Sequence, residues 1–226
     1  DKDGTLIDFQ AMWGGWVRAL AEDLTSSTGR PLADTLFELL GVDPETGLVH
    51  SHGLLAATPM ARIRELVVEA VIGRGLTATD AEAAVRHAWR PPDPVELAHP
   101  LGDLPRLFGA LESRAIRIAI ATSDNRGPTE ATLAALGVRE WIASMRCADD
   151  GIPVKPAPDP VLELCAELGV VPERTAVVGD SPADLAMGRA AGAGLVVGVL
   201  TGVGDRAALE GRADVILDSI AELLPA

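Results

Sequence analysis

Lysine is almost missing from this chain: among 19 basic residues only Lys2 and Lys155 are lysines. Any chemistry that demands a lysine therefore has two candidates. Cysteine is as scarce. Cys147 and Cys165 stand alone, without the paired spacing of a thiolate metal centre, and read as small buried apolar side chains in a reducing compartment. No apolar run approaches the ~20 residues of a membrane span. No signal peptide precedes Asp1, so a cytoplasmic location is expected. A basic patch is lacking too. With 33 acidic residues and a net charge of −14, neither nucleic acid nor an anionic membrane is an expected partner. What is present is ordinary for a globular protein: 226 residues, 48% hydrophobic and 23% charged, enough for one sizeable domain or a domain with a smaller insert. Internal repeats and low-complexity segments are absent.

Two regimes alternate along the chain. From Ala115 onward, short β-branched runs interleave with helical stretches. Ile116–Ala121 reads as a strand, followed by a helix over Gly127–Leu136, a short strand over Trp141–Met145 and a helix over Pro158–Leu168 ending at Gly169. Thr175–Val178 reads as a buried strand, with Ser181 as N-cap and Pro182 opening a helix that runs to Gly192. Leu195–Leu200 and Val215–Leu217 are further strands, separated by a short helix near Arg206–Leu209. This alternation predicts an α/β fold, a Rossmann-like parallel sheet with helices on both faces. Residues 12–90 differ. Met12–Leu24, Pro31–Leu40, Thr58–Ile72 and Thr79–Trp89 carry helical spacing, Val42–Ala57 reads as a loop, and Pro91-Pro92-Asp93-Pro94 looks like a stiff linker. The expected organisation is a core of residues 1–11 and 91–226 with a small helical domain, 12–90, inserted into it.

The chain opens on Asp1-Lys2-Asp3-Gly4-Thr5-Leu6. In extended backbone, residues i and i+2 share a side, so Asp1 and Asp3 are expected to address one substrate while Lys2 points away. Paired carboxylates suit a nucleophile beside a proton carrier, or gathering round a cation. The same stretch also reads as a polar Asp-Gly turn. Ligands of open parallel sheets bind at the carboxyl ends of strands. Thr122 with Ser123, Lys155, and Asp180 with Asp184 all follow or occupy such ends. Singly each has a structural reading: a capped turn, a solvated charge, acids at a helix start.

In their order these residues resemble the haloacid dehalogenase-like hydrolase superfamily. Asp1-Lys2-Asp3-Gly4-Thr5-Leu6 is similar to its first motif, Ile118–Thr122 to its second, Lys155-Pro156 to its third and Val177–Asp184 (VVGDSPAD) to its fourth. The insert falls where the family carries its type-1 helical cap. The resemblance implies that Asp1 attacks phosphorus to form an aspartyl-phosphate and that Asp3 handles the proton. It further implies Mg²⁺ held by Asp1, Asp3 (through its backbone carbonyl), Asp180 and Asp184. Thr122, Ser123 and Lys155 would hold the phosphoryl oxygens.

Within the family, Asp3 argues for phosphoryl transfer over dehalogenation. The lack of a lysine in 12–90 removes the Schiff-base nucleophile of phosphonoacetaldehyde hydrolases. A helix and a short strand consume the stretch from Thr122 to Lys155, leaving no room for a large second-type cap. What remains resembles the phosphoglycolate phosphatase group, acting on a small phosphorylated metabolite as a monomer or homodimer. The alternatives are a β-phosphoglucomutase-like phosphotransferase and a catalytically silent binding module on the same fold. Candidate specificity residues are His50, His52 and Arg62 of the insert and Arg126 after the second motif. Trp13 and Trp16 are expected at the hinge between insert and core. The family's first motif follows a buried strand, so an apolar strand upstream of Asp1 is expected.

Overall fold

The computed structural model describes residues 1–50, 53–93, 95 and 98–224. Among the candidates, His52 lies outside them. The chain divides into two compact units, Gln10–Asp93 and the combination of Asp1–Phe9 with Pro94–Ala226.

The first of these units is helical. It comprises α1 (Phe9–Thr28, which begins one residue before it), α2 (Ala33–Leu40), a single turn α3 (Leu54–Ala57), α4 (Met60–Gly73) and α5 (Ala78–Ala88). α4 places Ile63, Val67 and Val71 one turn apart on a fully buried stripe and packs against α2 and α5. Thr77 caps α5 by accepting the Asp80 N–H, and Gly41 closes α2 in the left-handed conformation a helix C-terminus favours. Trp13 and Trp89 each meet Trp16 edge-to-face, at 5.4 and 5.1 Å between ring centroids. The stretch read as a loop, 42–57, contains α3 and a bridge between Val42 and Val49.

The other unit carries α6 (Leu104–Glu112), β1 (Ile118–Ala121), α7 (Arg126–Ala135), β2 (Ile142–Arg146), α8 (Asp159–Leu168), β3 (Ala176–Gly179), α9 (Pro182–Ala190), β4 (Leu195–Val199), α10 (Arg206–Leu209) and β5 (Val215–Leu217). Every strand pair is parallel: β1 with β2, and β3–β4–β5 in that order. The strands' buried faces meet α8 and α9 in a cluster of Ala121, Val161, Leu164, Cys165, Val177 and Met187. A second cluster joins Leu185, Val196 and Leu209. Each valine, leucine or methionine in these clusters contributes roughly 1.5–3 kcal/mol on burial. Both cysteines are buried and free, and no helix among the described residues is long and apolar enough to cross a membrane.

The parallel arrangement follows from the β-branched runs and the short helices between them, and within each of the two sheets it brings the strands' carboxyl ends to one edge. Besides α3, the helix α6 lies outside the sequence expectations although its signals are present. α6 has Asp103 as N-cap, Pro105 in its first turn and a buried stripe of Leu104, Leu107 and Phe108. A cleft of about 540 Å³ runs between β1, α8 and β3, with Ala119, Ala121, Val161, Leu164 and Val177 in its walls and Asp1, Arg117 and Arg174 among its lining. The Asp1 backbone nitrogen donates to the Val178 carbonyl at 3.0 Å, which seats the first residue alongside β3.

Candidate active site

Asp1 lies in neither a helix nor a strand. It is held by that bond to β3 and by the tight turn behind it, in which the Leu6 N–H returns to the Lys2 carbonyl at 2.7 Å. Asp180 and Asp184 are positioned by the step from β3 into α9. Ser181 is the N-cap: its hydroxyl oxygen accepts the Asp184 N–H at 3.3 Å and its own N–H donates to Asp184 Oδ2 at 3.2 Å, a complete capping box, while the hydroxyl also donates to that Oδ2 at 2.5 Å. The cap thus aims Asp184 as well as starting the helix. Ser181→Ala is expected to lower Tm by about 2–4 °C, one cap's worth for a chain this size. A thermal melt with unchanged Tm would contradict the capping contribution.

Lys155, from the loop before α8, bridges the two acids. Its ammonium donates to Asp1 Oδ1 and, at 2.7 Å, to Asp184 Oδ1. The Lys155 side chain is 8% exposed, so the charge is available to those partners with little competition from water. Burial alone would raise the Asp184 carboxyl, but Lys155 and the Ser181 hydroxyl hold it below the ordinary carboxylate value. Asp180 behaves oppositely. Burial, with Asp184 beside it, pushes its carboxyl up to about 7. Its Oδ2 accepts the Val203 N–H at 2.8 Å, and the Gly204 N–H donates to its carbonyl at 3.0 Å. The loop after β4 comes so close that a Cβ on Gly202 would lie 1.9 Å from Asp180 Oδ2. A Cβ on Gly179 would lie 2.3 Å from that of Asp184.

Carboxylate oxygens of Asp1, Asp180 and Asp184 lie within 4.8 Å of one another. Three buried carboxylates against one lysine leave an excess of negative charge, and an all-oxygen donor set suits a hard divalent cation such as Mg²⁺. The residues present therefore fit that ion. Asp180 provides a test of this that does not need turnover. Folded, it keeps a proton to about pH 7, whereas the unfolded chain releases it near its ordinary 3.8. Between those values the folded state binds more protons, so the metal-free protein loses stability as pH rises from about 4 to above 7. The loss is on the order of 4 kcal/mol. Melting in chelator should fall across that window. Asp180→Asn should flatten the fall and remove the rise in Tm that added Mg²⁺ gives the parent. A parent Tm independent of pH from 5 to 8 would contradict the assignment.

Thr122 is buried at the end of β1, its hydroxyl accepting the Asp124 N–H at 3.1 Å and its own N–H bound to the Arg146 carbonyl. Ser123, half-buried, is the next residue of that turn. Asp3 is not drawn into the Asp1 cluster by its side chain. Its Oδ1 instead takes the Lys2 ammonium at 2.5 Å, and Lys2 also reaches Asp124 at 3.1 Å. This corrects the expectation for Lys2. Its side chain is only 1% exposed, and a buried ammonium must find anionic partners, so its four-carbon stem turns back to Asp3.

Two of the specificity candidates, Arg62 and Arg126, are held in structural pairs. Arg62 is half exposed on α4 and engages Glu65 and Glu69. Arg126 pairs with Asp150 at 2.6 Å and donates to the Met145 carbonyl, fixing the loop after β2. His50 lies in the helical unit, lining a hollow of about 380 Å³ with Phe37, Gly41 and Leu54. The sequence reading missed Thr5, whose hydroxyl donates to Asp1 Oδ2 at 3.3 Å, and the Asp184 half of the capping box. The latter was visible as Ser-x-x-Asp ahead of an apolar run.

A parallel α/β unit that gathers three carboxylates and one lysine at the carboxyl edge of its strands defines an acid-rich phosphoryl- or metal-handling centre. The sequence profile of the haloacid dehalogenase-like hydrolases matches residues 1–192, and the chain belongs to that family. It is 38% identical over 121 residues to a phosphoglycolate phosphatase of Rhodospirillum rubrum, covering 54% of this chain and 50% of that enzyme. Here the match spans only half the relative's length. It is 29% identical over 228 residues to the plasmid phosphoglycolate phosphatase of Cupriavidus necator, covering 100% of this chain and 90% of that one. The crystal structure of CbbY from Rhodobacter sphaeroides in complex with phosphate superposes with a TM-score of 0.64 over 99% of this chain and 93% of that one. At 24% identity that likeness concerns the fold.

Proposed function

We propose that this chain is a Mg²⁺-dependent phosphatase that hydrolyses a small phosphomonoester, of the phosphoglycolate kind, through an aspartyl-phosphate on Asp1. The observation that carries the reading is the Lys155 ammonium shared between Asp1 and Asp184 within the Asp1/Asp180/Asp184 cluster. Asp1 Oδ attacks phosphorus, the bond to the alcohol oxygen breaks, and Asp3 delivers a proton to that oxygen. Asp3 then takes a proton from water as the water oxygen attacks phosphorus, releasing inorganic phosphate and regenerating Asp1. Lys155 screens Asp1 from Asp184 in the resting site and offsets charge on the phosphoryl oxygens during transfer. The Thr122 hydroxyl and the turn at Ser123 hold the remaining oxygens. Mg²⁺, held by Asp1, Asp180 and Asp184 with the Asp3 carbonyl, would supply further positive charge at the phosphoryl group. The insert, 10–93, serves as the cap that supplies substrate selectivity.

The experiment is phosphate release from p-nitrophenyl phosphate and from phosphoglycolate, with Mg²⁺ and with chelator. Turnover that requires the metal is expected. A folded, Mg²⁺-loaded protein inert toward both, and toward a panel of sugar phosphates and nucleotides, would overturn the reading.

A further inference from the structure

The chain's two lysines are both buried, and only Lys155 has so far been given a task. The other, Lys2, sits in a second cluster beside the first. Its ammonium bonds Asp3 Oδ1 at 2.5 Å and Asp124 Oδ2 at 3.1 Å, with 1% of its side chain exposed. Asp124 is in turn tied into the turn after β1. Its N–H donates to Thr122 Oγ1 at 3.1 Å, and its carbonyl accepts the Ala148 N–H at 2.8 Å. A continuous line of contacts therefore runs from Asp3 through Lys2 and Asp124 to Thr122. It links the proton carrier of the proposed reaction to the turn that would hold the phosphoryl oxygens.

We infer that Lys2 is a positioning residue, its buried ammonium spanning Asp3 and Asp124 so that the Asp3 carboxyl is fixed relative to the Thr122–Asp124 turn. This rests on the reading of Asp3 as the group that serves the leaving oxygen and the attacking water. An unanchored aspartate has two free side-chain torsions, and proton transfer demands hydrogen-bond reach to an atom whose place is set by the phosphate cradle. Holding one carboxylate oxygen by an ammonium that is itself held by the cradle removes that freedom without contact between Lys2 and substrate. A lysine is suited to this because its single charge accepts two carboxylates in any relative orientation, whereas the planar fork of an arginine would impose one. Burial of an unpaired ammonium is costly, so the two carboxylates are required for Lys2 to be there at all. That requirement explains the buried pairing. It does not by itself explain why the partners are Asp3 and the one acid bonded to Thr122.

The test exploits leaving groups. p-Nitrophenolate departs as its anion and does not need a proton from Asp3. The alcohol of an alkyl phosphate such as phosphoglycolate does. In Lys2→Met with Mg²⁺, rapid mixing should give a first equivalent of p-nitrophenolate within about 5-fold of the parent rate. Steady turnover should then fall by roughly 10- to 100-fold, because water attack on the aspartyl-phosphate still needs Asp3. With phosphoglycolate the first step itself should slow by a similar factor, with KM little changed. Asp124→Asn, which keeps Lys2 paired to Asp3 but weakens its anchor, should move the same quantities in the same direction by less. It decides the matter if Lys2→Met does not fold. Equal losses of the first step with both leaving groups, a loss confined to KM, or no loss would overturn the inference while leaving the phosphatase reading intact. A parent protein inert toward both substrates would instead refute the reading, and the inference with it.

Discussion

Asp1→Asn is expected to abolish Mg²⁺-dependent phosphate release, by about 10⁴-fold or more, as loss of a covalent nucleophile does. The substitution is nearly isosteric, so packing around Asp1 is preserved, but an amide oxygen carries neither the charge nor the nucleophilicity to attack phosphorus. Stability in chelator should change little. Lys155 keeps Asp184 as a partner at 2.7 Å, and Thr5, whose hydroxyl donates to Asp1 Oδ2, can donate to the amide oxygen instead. A folded Asp1→Asn protein that retains activity within tenfold of the parent would place the nucleophile elsewhere.

Lys155→Met is expected to act on both stability and turnover. Removing the ammonium leaves Asp1 and Asp184 facing each other beside Asp180, all in one cluster and with no positive charge bridging them. Breaking a buried pair from one side costs about 3–5 kcal/mol, equivalent to roughly 10 °C in Tm for a chain of this length. Mg²⁺ should restore more Tm to this variant than to the parent, because a divalent cation replaces the missing charge among the same three carboxylates. Turnover at saturating Mg²⁺ should nonetheless fall by about 10²–10³-fold, the usual effect of deleting a donor that stabilises charge in the transition state. Lys155→Arg should recover stability better than rate, since the guanidinium fork cannot occupy the space of a point-like ammonium held between two carboxylates. A Lys155→Met protein as stable as the parent in chelator would show that the bridge carries no weight in the fold.

Much of this was legible from local signals. Ser181 and Pro182 announce α9, Arg206–Leu209 is a helix as its spacing implies, and the β-branched runs become parallel strands. Asp180 and Asp184 follow the carboxyl end of β3, and Asp1 and Lys155 reach them from loops, a convergence that the order of motifs already encodes. The failures have a common physical origin. Alternation fixes where a Cβ points, and Lys2 shows that it does not fix where the charge of a long flexible side chain ends. The partner of Arg126, Asp150, sits across a strand and loop, beyond any local rule. By contrast, Glu65 lies one helical turn from Arg62, and that pairing was there to be read. The loop amide of Val203 that steadies Asp180 has no side-chain signature at all.

In the proposed reaction a phosphoryl group becomes bonded to Asp1. Rapid quenching of a Mg²⁺-loaded reaction with phosphoglycolate, followed by hydride reduction, converts an acyl-phosphate to an alcohol, and mass analysis of the peptide that bears Asp1 locates it. The expected result is homoserine at position 1, present only with Mg²⁺ and substrate together. Turnover accompanied by an unaltered Asp1, or by reduction at another carboxylate, would contradict the central claim.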